Sequence, residues 1–352
     1  MPGDRTTATE LGTALGTLSY PDLSAALAGR PAQLRVAEDV WDRLDAIHRS
    51  GRFADELTMA FANGRALLQA PDGLRDRPPR TVEWTGGRRP PGDEVAPIDL
   101  RIDHVYLISC KYESDILANA SPGRVFEGLL ATSGNWDRGD WYATVAPREL
   151  GGLYRACVAA TGLAALPPAP GACTRDQLAT LRRALGGRSY PDAASRAAYL
   201  ELCRAVSEAS ATRWSDRLAS SGLAPETMLW RLLRIGSAPY FVLGNDRRTG
   251  APARFRIASP WDWRDRFELE SFTVTAAVVG QPRVDWAGSY RDRRGGTNGT
   301  VRGHVEIRWS HGRFAQPPEA KVYLDTPMSQ LPGYHPLDSV GRPQLTLWDP
   351  MR

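Results

Sequence analysis

Two short runs rich in β-branched and apolar residues, 98–102 and 105–110, are separated only by Asp103 and His104. That spacing leaves room for little except an antiparallel hairpin, with Asp103-His104 as its turn. Asp99 opens the first strand and Lys111 closes the second, so both side chains arrive at one end of the hairpin. A hairpin of this kind needs further strands and an apolar cover before it is stable. The flanking sequence supplies candidates for both.

Upstream, residues 1–80 read as helical. Leu34, Val36, Val40, Trp41, Leu44 and Ile47 follow helical spacing, as does the stretch 53–68, and Pro78-Pro79 ends the region. Residues 81–84 and a Gly/Arg/Pro-rich turn at 86–92 lead into the hairpin. Downstream, Ser121-Pro122 starts a helix that carries Val125, Phe126, Leu129 and Leu130 on one face. Residues 173–235 are Ala-, Leu- and Arg-rich at helical period, broken at Gly186, Gly187 and Pro191. After Gly236 the texture turns to strands, at 240–243, 255–257, 267–279, 284–286, 301–309 and 320–324, with turns expected at Asn298-Gly299 and His311-Gly312. The fold class is therefore mixed α/β, with a helical middle and a β-rich C-terminal part. The expected divisions are 1–165, 166–236 and 237–352. The alternative is that 240–243 returns to the first domain as a fourth strand, which moves the boundary to about residue 260.

Composition narrows the function classes. The 352 residues are 42% hydrophobic and 24% charged, the balance of a folded soluble chain. No run approaches the length of a membrane span and no signal-peptide core is seen, so a cytoplasmic protein with no membrane partner is expected. Cys110, Cys157, Cys173 and Cys203 have no CxxC spacing, which argues for reduced, mostly core cysteines rather than a disulfide framework or thiolate zinc site. A net charge of +4 allows an anionic partner without requiring one. Only two of the 44 basic residues are lysines, Lys111 and Lys321; all others are arginines. In a chain that accepts arginine wherever charge is needed, a lysine marks chemistry for which a compact, titratable ammonium is better suited. Neither lysine lies in a GxxxxGK[ST] loop, which excludes a P-loop NTPase, and no GxGxxG or GxSxG motif is present.

The segment 97–112, with Pro97-Ile98-Asp99 and Ser109-Cys110-Lys111, resembles the PD-(D/E)xK nuclease superfamily, the restriction-endonuclease-like fold. The resemblance covers about residues 50–130. It implies a helix, a sheet whose second strand carries Asp99 and whose third carries Lys111, and a following helix. It also implies a Mg²⁺-dependent DNA endonuclease of restriction or phage-defence type, with Mn²⁺ as a substitute metal and DNA as partner. By the same token Asp99 and Glu56 hold the metal, Cys110 offers its main-chain carbonyl, and Lys111 acts on water or phosphate. Such chemistry needs a carboxylate-held divalent ion to polarise phosphate and acidify water, and a nearby cation. The departure is Ser109, which stands where the family has a second carboxylate; after Glu56, Glu83 and Glu113 are the other candidates to replace it. A nuclease-fold module that binds DNA without cutting, and a structure-selective repair nuclease, are the alternative readings, and a homodimer is the oligomer that two-fold sites favour. Glu306 with Glu319-Ala320-Lys321 repeats the acid and Glu-x-Lys letters, but prolines replace the helix that should follow. The C-terminal segments 261–266, 286–294 and 308–314 interleave tryptophan with arginine, a pattern that suits either base stacking or a sheet core. His304 and His311 lack zinc-ligand spacing and read as structural.

Overall fold

A computed structural model of the chain describes residues 3–86, 98–112, 116–130, 139–186, 190–247, 249–278 and 280–337. Among them are eleven α-helices and two β-sheets, a mixed α/β architecture. The chain forms two units, and neither is continuous in sequence. One comprises Met1–Ser114, Arg234–Asp265 and Met328–Arg352; the other comprises Asp115–Leu233 and Arg266–Pro327. The expected cuts fell after 165 and 236; here the strand near 240 lies in the first unit, as the alternative had it, and so does the segment from Met328, which neither reading expected.

The first unit opens with α1 (Asp4–Gly16), α2 (Leu23–Gly29), β1 (Leu34–Arg35), α3 (Glu38–Ser50) and α4 (Ala54–Gln69), followed by β2 (Val82–Trp84), β3 (Leu100–Ile102) and β4 (Tyr106–Tyr112). In the second unit lie β5 (Ile116–Ala120), α5 (Pro122–Phe126), α6 (Trp141–Val145), α7 (Pro147–Thr161), α8 (Arg175–Leu185), α9 (Ala193–Ser220) and α10 (Glu226–Leu232). The chain then returns to the first unit with β6 (Tyr240–Asn245), β7 (Pro252–Ile257) and nearly all of α11 (Pro260–Arg266). It completes the second with β8 (Phe267–Val278), β9 (Pro282–Asp292), β10 (Thr297–Arg308) and β11 (Glu319–Leu324), and closes the first with β12 (Tyr334–Pro336).

In the first unit the sheet order is β1-β2-β3-β4-β6-β7-β12. Strands β2, β3 and β4 form an antiparallel meander, and β6 lies parallel to β4 with Lys111 opposite Gly244. The hairpin turn is as expected. Asp103 and His104 both have positive φ, and Val105 N–H closes onto the Ile102 carbonyl. Asp103 holds the turn by accepting from the N–H groups of Arg80 and Thr81, both at 2.8 Å.

Helix α1 is buried from Thr7 to Gly16. Small residues permit this. A Cβ on Gly16 would stand 2.1 Å from the Phe61 carbonyl oxygen, and one on Gly64 would stand 2.0 Å from that of Thr13, so α1 and α4 touch backbone to backbone. The threonine hydroxyls need partners inside, and Thr13 finds one in the Thr9 carbonyl at 2.8 Å. Leu11, Leu15, Leu44, Leu57, Leu100, Ile108, Phe241 and Leu243 belong to the core that covers this side of the sheet.

The second sheet, β5-β11-β10-β9-β8, is antiparallel. Val284, Trp286, Val301, Val305, Ile307, Val322 and Leu324 are buried and alternate with polar residues, the period of a sheet with one apolar face. Helix α9 packs on β8 and β9.

Several local expectations are corrected. Leu34 does not begin a helix; it pairs in parallel with Val82, and helix α3 starts at Glu38. Ser121 caps α5 as expected, but that helix ends at Phe126 and a 3₁₀ turn carries Leu129 and Leu130. Strand β5 was not expected, because Ile-Leu-Ala-Asn-Ala has no clear alternation; pairing with β11 recruits it. Asn298-Gly299 is not a turn. It lies within β10, where a Cβ on Gly299 would meet the Tyr290 ring at 2.5 Å, and the hairpin turns instead at 293–296. All four cysteines are free, Cys157 and Cys203 buried and the other two half-buried. Gly187 and nearly all of the 86–92 turn lie outside the described residues. Among the described residues no helix is long and apolar enough to cross a membrane.

Candidate functional site

Asp99 sits just ahead of β3, and its backbone is tied into the sheet by Asp99 N–H to the Ile108 carbonyl, 2.8 Å, and by Thr85 N–H to its own carbonyl, 3.0 Å. Its carboxylate turns onto β4. Oδ2 accepts from Cys110 N–H at 2.6 Å and lies 3.4 Å from the Ser109 hydroxyl. Ser109 is 1% exposed. A buried hydroxyl at position 109 faces the Asp99 carboxylate. Three of the four residues chosen as catalytic, Asp99, Ser109 and Lys111, are thus gathered at one end of the β3–β4 pair, with Cys110 between the last two.

The fourth, Glu56, stands in the first turn of α4 and pairs with Arg5 of α1, Oε1 to Nε 3.3 Å. The carboxylate on which Asp99 and Lys111 act is a different one, Glu10 of α1. Glu10 is 7% exposed and accepts a hydrogen bond from the Trp84 indole N–H. Burial first, and the Asp99 charge second, raise its pKa from 4.5 to about 7, against the downward pull of the Trp84 hydrogen bond and the Lys111 charge. A buried Glu10, a half-buried Asp99 and a lysine therefore share one field. Sequence reading missed Glu10. The available signal was its isolation, since it is the single charge between Arg5 and Asp22.

The Cys110 thiol is pushed well above its ordinary pKa, by burial and then by Asp99 and Glu10, so it stays protonated and unreactive. Next along β4, the Tyr112 hydroxyl meets Thr13 Oγ1 at 2.7 Å and accepts from Asn63 Nδ2 at 3.2 Å. Asn63, fully buried, also donates to the Gly244 carbonyl at 2.9 Å and accepts from Arg254 Nε at 2.9 Å. This network ties α1, α4, β4, β6 and β7 together beside Lys111. Gly244 is required there, because a Cβ would fall 1.7 Å from the Lys111 carbonyl oxygen.

Of the other carboxylates considered, Glu83 pairs across from Arg101 and lies 3.7 Å from His104 Nδ1. Glu113 and Pro97 lie outside the described residues. Among those described, no group of three or more His, Cys, Asp or Glu is placed to hold a metal ion.

The rival letters fall in the second unit. Glu306 is opposite Lys321 in register, and Glu319 is opposite Arg308. Both acids are held below the usual carboxylate range, Glu306 chiefly by its hydrogen bond with His304 and Glu319 chiefly by that from Ser310. His304 stacks on Tyr323 at 4.8 Å, and its Nδ1 lies 2.9 Å from Asp325 Oδ1. Burial alone would lower the His304 pKa, but the hydrogen bonds to Asp325 and Glu306 carry it to about 9. This is a lattice of satisfied ion pairs on a sheet face. The arginines of 286–294 are also engaged, Arg291 with Glu270 at 3.1 Å and Arg293 with Glu268 at 3.6 Å. Trp263 and Trp286 are core residues, whereas Trp261 is 81% exposed.

Comparison of the chain with protein-family models, curated proteins and solved structures finds no match.

Proposed function

We propose that the chain is a Mg²⁺-dependent DNA endonuclease whose site is Asp99, Glu10 and Lys111. The reading rests on Glu10, a buried carboxylate of α1 whose pKa the Asp99 charge raises and the Lys111 charge lowers, and which would stand in for the carboxylate absent at Ser109. In support, helix α4 precedes an antiparallel β2-β3-β4 meander and β6 runs parallel to β4, although the helix expected after Lys111, α5, follows β5 and belongs to the second unit.

The donor set suits a divalent oxygen-loving ion. Glu10 is held against ionisation by burial and by the Asp99 charge, a strain that a hard cation between the two carboxylates would relieve. Asp99 and Glu10 would hold the ion, with the Cys110 carbonyl as the main-chain ligand that the resemblance implies. Once bound, the ion would polarise the scissile phosphate and lower the pKa of the attacking water. Ser109 and the Cys110 N–H fix the Asp99 carboxylate, while Lys111 offers a compact ammonium to the water or to the charge that develops on phosphate. The second reading, DNA binding without cleavage, is favoured by the burial of Glu10 and Ser109.

The test is incubation of supercoiled, linear and single-stranded DNA with Mg²⁺ or Mn²⁺. Cleavage is expected, with losses of at least about 100-fold for Asp99→Asn, Glu10→Gln and Lys111→Ala. Glu56→Gln should keep most of the activity. Full activity in Glu10→Gln with none in Glu56→Gln would return the second carboxylate to α4. Loss in Lys321→Ala alone would move the site to the second unit. Binding without cleavage by the unaltered protein would select the second reading.

A further inference from the structure

Away from Asp99, the second unit encloses a cavity of about 370 Å³, lined by Arg182 and Leu185 of α8 and by Trp309, Ser310, Gly312 and Arg313 after β10. Clefts for small organic ligands run from about 300 to 1,000 Å³, so this one has room for more than a bare oxyanion. Its described lining carries two guanidinium groups and no carboxylate. Glu319 is engaged by the Ser310 hydroxyl and lies 3.6 Å from His311 Nε2.

A basic residue in the last turn of a helix is usually explained by the helix dipole. Arg183 fits that explanation, since its Nε donates to the Ala179 carbonyl of its own helix. Arg182 does not: it reaches across to the His311 carbonyl, NH1 to O 3.3 Å. Its stem lies over Gly312, whose φ is +97° and where an added Cβ would stand 2.8 Å from Arg182 Cδ. Arg313 is oriented by a second device, its guanidinium lying 3.8 Å from the centre of the Tyr190 ring. Two planar forks are thus held at a cavity that also offers a hydroxyl, an indole and a leucine.

We propose that this cavity binds an organic phosphate of mononucleotide size, the phosphate on Arg182 and Arg313 and the base or sugar against Leu185 and Trp309. The source is a free nucleoside monophosphate or the 5′-phosphorylated end of a strand, and the site is independent of the Asp99 centre.

Isothermal titration of the full chain with inorganic phosphate, adenosine 5′-monophosphate, and single-stranded oligonucleotides with and without a 5′-phosphate tests this, with the oligonucleotides run in the Lys111→Ala background. Saturable binding of the monophosphate is expected, weakened at least tenfold by Arg182→Gln and by Gly312→Ala, and unchanged by Arg183→Gln. Arg182 is exposed, so its replacement should leave the melting temperature in place. Tighter binding of the monophosphate assigns the site to free nucleotide; preference for the 5′-phosphorylated over the 5′-hydroxyl strand assigns it to strand ends. No saturable binding of any probe, or equal loss in the Arg182 and Arg183 variants, would overturn the proposal.

Discussion

At the scale of single residues, two titrations each predict stability that is lost as pH rises, in different pH windows. Glu10 has a folded-state pKa raised to about 7, so the folded protein holds that proton more tightly than the unfolded chain does. Its contribution to stability is therefore present below pH 4.5 and lost as pH rises to about 7, by up to about 3 kcal/mol. If Glu10 and Asp99 hold a divalent ion, Mg²⁺ should restore that loss. Melting temperature should respond to Mg²⁺ more strongly at pH 8 than at pH 5.5, and Glu10→Gln should abolish the difference. An equal response at both values would count against the pair as a metal site. His304 is raised from 6.5 to about 9 by carboxylate partners that favour its charged form. Its stabilisation is complete below pH 6.5 and fades as pH climbs through 9, roughly 1–2 kcal/mol after allowance for solvent. Urea unfolding of His304→Gln between pH 6 and 10 should lack that decline. At this scale the sequence showed Asp99 and Lys111 plainly, since each ends a strand of one hairpin. It did not show Glu10, because α1 carries threonine, alanine and glycine where an amphipathic helix would carry a leucine stripe.

Between elements, close approach decides what is tolerated. Helices α1 and α4 meet through Gly16 and Gly64, and β4 meets β6 through Gly244, each at distances no Cβ can share. Gly64→Ala and Gly244→Ala should each cost about 3 kcal/mol or more, because the obstructing atoms are backbone carbonyls that cannot rotate away. Gly312→Ala, whose neighbour is the flexible Arg182 side chain, should cost less in stability even though it disturbs the cavity. Equal losses at all three in chemical denaturation would show that local strain, not backbone contact, sets the penalty. Element types were legible where periodicity was strong, as in α3, or where composition and turn signals marked them, as in α9 and the β3–β4 hairpin. They were misread where a partner supplied the structure, as with β5 on β11, or where a ring rather than a turn demanded glycine, as with Gly299 beneath Tyr290.

For the whole molecule, the decisive feature is the return of the chain to its first sheet. Strand β6 pairs with β4 across the entire first segment of the second unit, which leaves the meander incomplete until residue 240 has been made. A chain ending at Leu233 should therefore expose the β4 edge and aggregate or remain unfolded, with no near-ultraviolet circular dichroism from packed aromatics. A soluble, cooperative fold in that fragment would show that β6 is dispensable. From its sequence alone the protein is a mixed α/β chain with an acid and a lysine at the end of one hairpin, because alternation, helical spacing and turn chemistry are local and leave a local trace. Which carboxylate joins that acid, which strand closes its sheet, and which arginines line a cavity were decided only by the tertiary structure. Burial, parallel pairing and the convergence of charges are properties of residues brought together from far apart, and no neighbouring letters record them.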